Sequence, residues 1–379
     1  MKTRSVVVLS VAAVVVVVAA VLGAQLWQQG SLGGVRIAVS LPLSGPQAAF
    51  SGEFPLGLKM GIEEGSAAHG IQPSIFKLDI QDNQGAPKTA VTILENHRRA
   101  GFDVYVSGLS NVSSGISPEI DKMTDVLQFL VAFEALITRD RPNRFRILPS
   151  DKLSGPKFGE YARLRSAKRV FMLTMNLAPV DEMFSRIVEP DLDKLGAQFK
   201  REKFDLSTTD YRTLALKAIE FKPDLIVIDG LSFNILPLVQ SVKSLGYPID
   251  GNVLCVMDLI DLLYGKQIPA ELAGTVFISP PFEMPGVVPG ADDWRTRFRQ
   301  RGGKVPNYVQ AYAYETGRVL VDSYAKQKSV KPGAIKAVFP RDGIIGKETL
   351  DADRDVITEL GFVRLTADGK REIVAAGPR

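Results

Sequence analysis

Val35-Arg36-Ile37-Ala38-Val39-Ser40-Leu41 is a β-rich run that breaks at Pro42-Leu43-Ser44-Gly45-Pro46 and leads through Phe50 toward a helix near Phe54-Pro55. The same strand, turn and helix recur down the chain. Further β-rich runs are read at 75–80, 103–106, 126–131, 169–174, 197–203, 224–228, 252–257 and 275–279, with helical spacing between them, as in 88–99 and 213–221. Strands alternating with helices predict βαβ units and parallel sheets. Leu225-Ile226-Val227-Ile228 and Val253-Leu254-Cys255-Val256 are apolar throughout, as strands covered by helices on both faces should be. Cys255 therefore reads as a small buried hydrophobe.

So many strands exceed one sheet, and the pattern shows where it divides. It restarts after Arg146-Ile147-Leu148-Pro149-Ser150, and it breaks again at the proline-dense Ser279-Pro280-Pro281-Phe282-Glu283-Met284-Pro285. Helices follow at 291–301, 306–326 and 332–338. Then comes a hairpin-like tail, 347–351 and 359–365, with Asp351-Ala352-Asp353 between its arms. The expectation is two α/β lobes joined by more than one crossing.

Composition narrows the function. The 379 residues carry 46 Lys+Arg and 42 Asp+Glu, a formal +4. Lys2 and Arg4 are the only charges before Arg36, so +2 remains for the body of the chain. A nearly neutral surface with scattered charges excludes a nucleic-acid binder, which needs a basic face. One cysteine excludes a disulfide framework, and two histidines leave little for a metal site, so no metal or cofactor is expected. Ahead of the body, Lys2 and Arg4 precede an uncharged segment, 6–24, whose only polar residue is Ser10. A basic start before an apolar run marks a secretory signal. As a helix it would span roughly 28 Å, close to a bilayer's hydrocarbon thickness. Cleavage after Ala24 and retention as one anchor both remain open. Either places 35–379 outside the cytoplasm.

Catalytic signatures are missing. There is no G-x-S-x-G, no H-E-x-x-H, no complete phosphate loop and no G-x-G-x-x-G after the first strand. Asp351, Asp353 and Asp355 have calcium-loop spacing, but Val356 and Phe362 stand where that loop needs Gly and Glu. They are read as a solvated turn. His69, at a helix C-terminus, and His97, beside Arg98 and Arg99, are read as surface residues. Asn111-Val112-Ser113 is a formal glycosylation sequon. No enzyme is expected. The remaining chemistry lies in two βα turns, Leu41–Pro46 (41–46) and Ser107-Gly108-Leu109-Ser110-Asn111-Val112-Ser113-Ser114-Gly115. Loops beyond the carboxyl ends of parallel strands bind ligands, and helix N-terminal amides suit polar or anionic groups. Ser and Asn are equally preferred there as ordinary caps.

These stretches resemble a known family. The 35–46 stretch is similar to the opening strand and S-G-P turn of periplasmic binding proteins of the leucine/isoleucine/valine type. Asp82-Asn83-Gln84-Gly85-Ala86-Pro87-Lys88-Thr89-Ala90 resembles the start of their second helix. Pro306-Asn307-Tyr308-Val309-Gln310-Ala311-Tyr312-Ala313-Tyr314-Glu315 resembles their P-x-x-x-x-A-Y-x-A helix, and Gly343-Ile344-Ile345-Gly346 their late G-x-x-G segment. The motifs keep the family's order from about 35 to 375.

The resemblance implies two doubly wound, Rossmann-like lobes joined by three hinge crossings, with a ligand cleft between them. It assigns 35–150 plus 280–340 to the first lobe and 151–279 plus 341–379 to the second. It implies a monomeric, extracytoplasmic receptor that closes on a small amino-acid-like, amide or carboxylate ligand. An ABC permease in the inner membrane would be its partner. A membrane-tethered sensing domain coupled to a signalling partner is the alternative. Carried over residue by residue, Phe50 falls where the family has a ligand-facing aromatic. Asn111, Ser113 and Ser114 fall in the loop that holds a ligand carboxylate. Phe133 and Glu134 follow the fourth strand, and Asp258 falls where an acid meets the ligand ammonium, unless it caps the helix after it. This chain also departs from the pattern. Glu134 or Ala135 stands at a carboxylate-binding Thr, Leu231 and Ser232 at a second-lobe aromatic, and Asn176-Leu177-Ala178-Pro179 at a Y-G turn. Keeping an acid while losing part of the carboxylate clamp departs from an α-amino-acid site.

Overall fold

A computed structural model of the chain describes residues 34–45, 47–257, 269–304 and 306–374. The expected export segment, 6–24, and Asp258 lie outside the described residues. Among the described residues no helix is long and apolar enough to cross a membrane.

The first sheet holds β1 (Val35–Leu41), β2 (Phe76–Asp82), β3 (Val104–Gly108), β4 (Leu127–Val131) and β5 (Arg144–Arg146), all parallel, in the order β2-β1-β3-β4-β5. The second starts with β6 (Arg169–Met175), β7 (Gln198–Phe204), β8 (Leu225–Asp229), β9 (Val253–Cys255) and β10 (Val276–Ser279), parallel in the order β7-β6-β8-β9-β10. The winding of the first sheet is thus repeated. A small sheet of β11 (Arg341–Gly343), β12 (Gly346–Leu350) and β13 (Val356–Ile357) follows. The chain then returns to extend the second sheet with the antiparallel β14 (Gly361–Leu365) and β15 (Arg371–Val374). Two doubly wound lobes result, and the chain passes between them after β5, after β10 and between β13 and β14, since Asp355 beside β13 still pairs with Arg146 of β5.

Five helices position the site: α1 (Phe54–Ala68), α2 (Ser110–Ile120), α3 (Asp151–Leu164), α4 (Ser232–Ser244) and α5 (Tyr308–Gln327). α5 starts with a capping box, in which Asn307 Oδ1 accepts from Val309 N (2.8 Å) and Gln310 Oε1 from Asn307 N (2.9 Å). It then packs on α1 at backbone contact. A Cβ on Gly57 would lie 2.5 Å from the Gln310 carbonyl oxygen, and one on Gly61 would press still closer on that of Tyr314. Glycine is needed there because no side chain fits.

Four expectations are corrected. Arg144-Phe145-Arg146, unassigned in the sequence, is the edge strand β5. Its arginines are fully buried, Arg144 2.6 Å from Asp121 and Arg146 3.0 Å from Asp355. The tail is not one hairpin. β12 pairs with β11 and β13, while β14 takes Phe362, Val363 and Leu365 into the second lobe's core beside β10. The Asp351–Asp355 (351–355) turn is not merely solvated. The Lys152 ammonium lies 3.1, 2.6 and 3.4 Å from Asp351, Asp353 and Asp355, and Asp355 is buried. His97 is buried as well, edge-on to Phe102 and Tyr105 with Nε2 3.4 Å from Asp79. Burial pushes its pKa below the ordinary value, against the pull of Asp79. His69 stays partly exposed, 2.8 Å from Asp322.

Candidate functional site

The carboxyl ends of both sheets face one cavity of about 280 Å³. The first lobe contributes Phe50 after β1, Leu109, Ser110 and Asn111 after β3, and Phe133 and Glu134 after β4. The second lobe contributes Met175 and Leu177 after β6, Leu206 after β7, Asp229, Leu231 and Phe233 at the end of β8, and Val256 and Met257 after β9. Asp151 and Ser154 close it from the first turn of α3, where the chain crosses between lobes. Ligands of open α/β sheets bind at this edge. A larger, more open groove of about 1070 Å³ lies elsewhere, between α5, β11, β12 and the β14–β15 edge, and no residue expected at the site lines it.

Local bonding holds the first-lobe wall in place. Asp82 at the end of β2 accepts from Ser44 Oγ (2.5 Å) and from the amides of Leu43 and Gln84 (both 2.9 Å), which fixes the turn ahead of Phe50. Desolvation opposes the charge of Asp82, but these hydrogen bonds outweigh it and hold the carboxyl below its ordinary pKa. The Phe50 and Phe133 rings stand 6.0 Å apart, tilted by 54°. Ser110 Oγ accepts from the amides of Phe133 (3.2 Å) and Glu134 (3.3 Å), and Asp151 Oδ1 accepts from that of Ala135 (3.0 Å). Ser114 Oγ donates to Glu134 Oε2 at 2.8 Å. Arg146 donates to the Glu134 carbonyl oxygen from behind the wall. The 133–135 loop is thereby stitched to both α2 and α3.

Asp151 is a strongly perturbed acid of the site. Burial pushes its carboxyl up to about 6, and Glu134 adds to the rise. The Arg146 charge and the amides of Ala135 and Lys152 pull the other way. On the opposite wall Asp229 is almost fully buried. Burial, with Asp229 adding to it, raises the pKa of the Cys255 thiol, so the thiol stays protonated and inert.

Of the expected site residues, Phe50, Asn111, Phe133 and Glu134 line the cavity. Ser113 does not. It is fully buried beneath α2, its Oγ 3.0 Å from that of Ser107, because its helical position shares the face of Ile116 and Ile120. Ser114 reaches the site only through Glu134. The Ser232 side chain is outside the described set, while its neighbours Leu231 and Phe233 line the cavity. Asp258 is likewise not described, and the residues before it, Val256 and Met257, lie at the wall. Sequence reasoning missed Asp151, Asp229 and Phe233. Asp229 ends an apolar strand and Asp151 follows the Ser150 N-cap, two signals that could have marked them.

A family model described as a periplasmic binding protein matches residues 34–370. No curated protein matches the chain. Among solved structures, a leucine-binding protein from Thermotoga maritima is 22% identical with a TM-score of 0.75, covering 90% of this chain and 98% of its own. A branched-chain amino-acid transporter substrate-binding protein from Streptococcus pneumoniae, in complex with isoleucine, is 18% identical with a TM-score of 0.76, covering 90% and 99%. A solute-binding protein of an ABC transporter from Rhodopseudomonas palustris, in complex with 3,4-dihydroxybenzoic acid, is 15% identical with a TM-score of 0.76, covering 89% and 95%.

Proposed function

Since the chain belongs to the periplasmic binding protein family, we propose that it is an extracytoplasmic receptor that closes on a small solute and delivers it to an ABC importer. The observation that carries this reading is the cavity between the carboxyl ends of both sheets, walled by both lobes. A ligand there touches both walls only when they approach, so binding shifts an open–closed equilibrium toward the closed form. The hinge is the set of three crossings between the lobes. No reaction is required of the site; it has only to desolvate the solute and meet its polar head. The relatives' ligands, branched-chain amino acids and an aromatic acid, support a small solute with a polar head and an apolar or aromatic body. Amino-acid-like compounds, amides and small carboxylates are the classes to screen. The permease would be an inner-membrane partner, and the receptor acts as a monomer, either free or held by an uncleaved N-terminal helix.

A thermal-shift screen of the full-length protein against those three classes tests the reading. A ligand at 100 times its Kd adds about 2.7 kcal/mol of stability. Failure of all three classes to stabilise the protein would refute it.

A further inference from the structure

Among the described residues, the cleft carries formal charge of one sign. Glu134, Asp151 and Asp229 line it, and its described lining holds no lysine, arginine or histidine. Two cations close to Asp151 are engaged elsewhere, Arg146 with Asp355 at 3.0 Å and Lys152 with Asp353 at 2.6 Å. The other surfaces are apolar. Phe50 and Phe133 form the first-lobe side, and on the second lobe Leu177 and Phe233 stand 39% and 47% exposed. Resting on the receptor reading above, we propose that the cleft takes an organic cation: a primary or secondary amine on an apolar or aromatic body, without a carboxylate beside the nitrogen.

The α2 end of the cleft decides against the carboxylate. An anionic head would seek the amides at the start of α2 and of the loop after β4. Glu134 sets a carboxylate beside that end of the cleft. Glu134 takes the hydroxyl of Ser114, one turn into α2. The loop amides are also spent, those of Phe133 and Glu134 on Ser110 Oγ and that of Ala135 on Asp151. A second carboxylate would meet Glu134 and Asp151 at close range in a partly desolvated space, where like charges repel most strongly. An ammonium in the same place gains charge-assisted hydrogen bonds. The exposed Phe233 ring opposite supplies a face for the apolar body.

Asp151 gives the proposal a second readout. Its carboxyl is held up to about 6 by burial, with Arg146 on β5 and Glu134 in the facing loop acting on it in opposite senses. An arriving cation favours the ionised form, so amine binding near pH 6 should expel a proton.

The test titrates the full-length protein with two matched sets. One is isoamylamine, leucine and 4-methylpentanoate; the other is phenethylamine, phenylalanine and 3-phenylpropanoate. Within at least one set the amine should bind, at least tenfold more tightly than the amino acid, and the acid should not bind. Calorimetry in two buffers of different ionisation enthalpy at pH 6 should show proton release. Glu134→Gln, which can still accept from Ser114, should weaken the amine at least tenfold and narrow its advantage over the amino acid. Should that variant fail to fold, Asp229→Asn offers the same readout from the opposite wall. The proposal is overturned if the acid or amino acid binds more tightly than its amine, or if charge removal leaves amine affinity unchanged. Silence from all six compounds also overturns it. The receptor reading stands or falls separately, on the wider three-class screen.

Discussion

Replacing Asp355 by alanine while keeping Arg146 measures what a buried charge costs once its partner is gone. Both side chains are wholly inaccessible, with Arg146 Nη1 3.0 Å from Asp355 Oδ2. Thr138 Oγ1 donates to the other carboxylate oxygen at 2.9 Å. Removing one member of a buried pair costs about 3–5 kcal/mol, and the Thr138 hydrogen bond adds about 1 kcal/mol. Lys152 softens the loss little, because it keeps Asp351 and Asp353. Asp355→Ala should therefore lose about 4–6 kcal/mol, a large share of the roughly 5–15 kcal/mol of a folded domain. The double replacement Arg146→Met with Asp355→Leu removes both charges and should cost no more than about 2 kcal/mol, since apolar substitutes for buried pairs are often neutral. Urea unfolding followed by the fluorescence of Trp294, which is buried in the first lobe, compares the three proteins. A single variant within about 1 kcal/mol of the parent would refute the reasoning, as would a double variant as unstable as the single one.

Three other outcomes follow from described contacts. Because Asp151 has a raised folded pKa, its contribution to stability is complete below the unfolded value near 3.9 and is lost as pH rises through about 6. Asp151→Asn should flatten that part of a Tm-against-pH profile, and parallel profiles would clear Asp151. Gly61→Ala forces a methyl against the Tyr314 carbonyl and should destabilise by about 1–3 kcal/mol in thermal unfolding; a neutral result would mean that α1 and α5 part easily. Phe233→Ala removes an exposed ring, so stability should stay within about 0.5 kcal/mol while solute affinity falls. Unaltered affinity would place Phe233 outside the contact surface.

Most of the fold was legible because parallel strands covered on both faces are continuous apolar runs, and such runs mark β1, β3, β4, β6, β8, β9 and β10 without further context. β5 was not legible. Two of its three residues are arginines, buried only because Asp121 and Asp355 meet them from 23 and 209 positions away. The tail was misread for a similar reason. Alternation identifies a strand but not its partner, and β14 pairs with β10 because that is where its apolar residues find a core. In the site, Phe50, Asn111, Phe133 and Glu134 follow strand ends that sequence alone could place. Ser113 could have been excluded by helical spacing, since it sits three residues before the buried Ile116. Asp151 could not have been valued from sequence, because its perturbation needs Arg146 and Glu134 around it.

The route of the chain between lobes also sets the order in which the protein can become stable as it is synthesised. β10 ends at Ser279, yet its outer neighbour β14 starts only at Gly361. The glycine-lined face of α1 waits for α5, where Tyr314 meets Glu64 across 250 residues. Neither lobe can be sealed until the last quarter of the chain exists, so a nascent chain of some three hundred residues carries an unpaired sheet edge and an uncovered helix. Such contacts, remote in sequence, form slowly. If the chain is exported as proposed, that delay keeps it threadable until its last quarter is made.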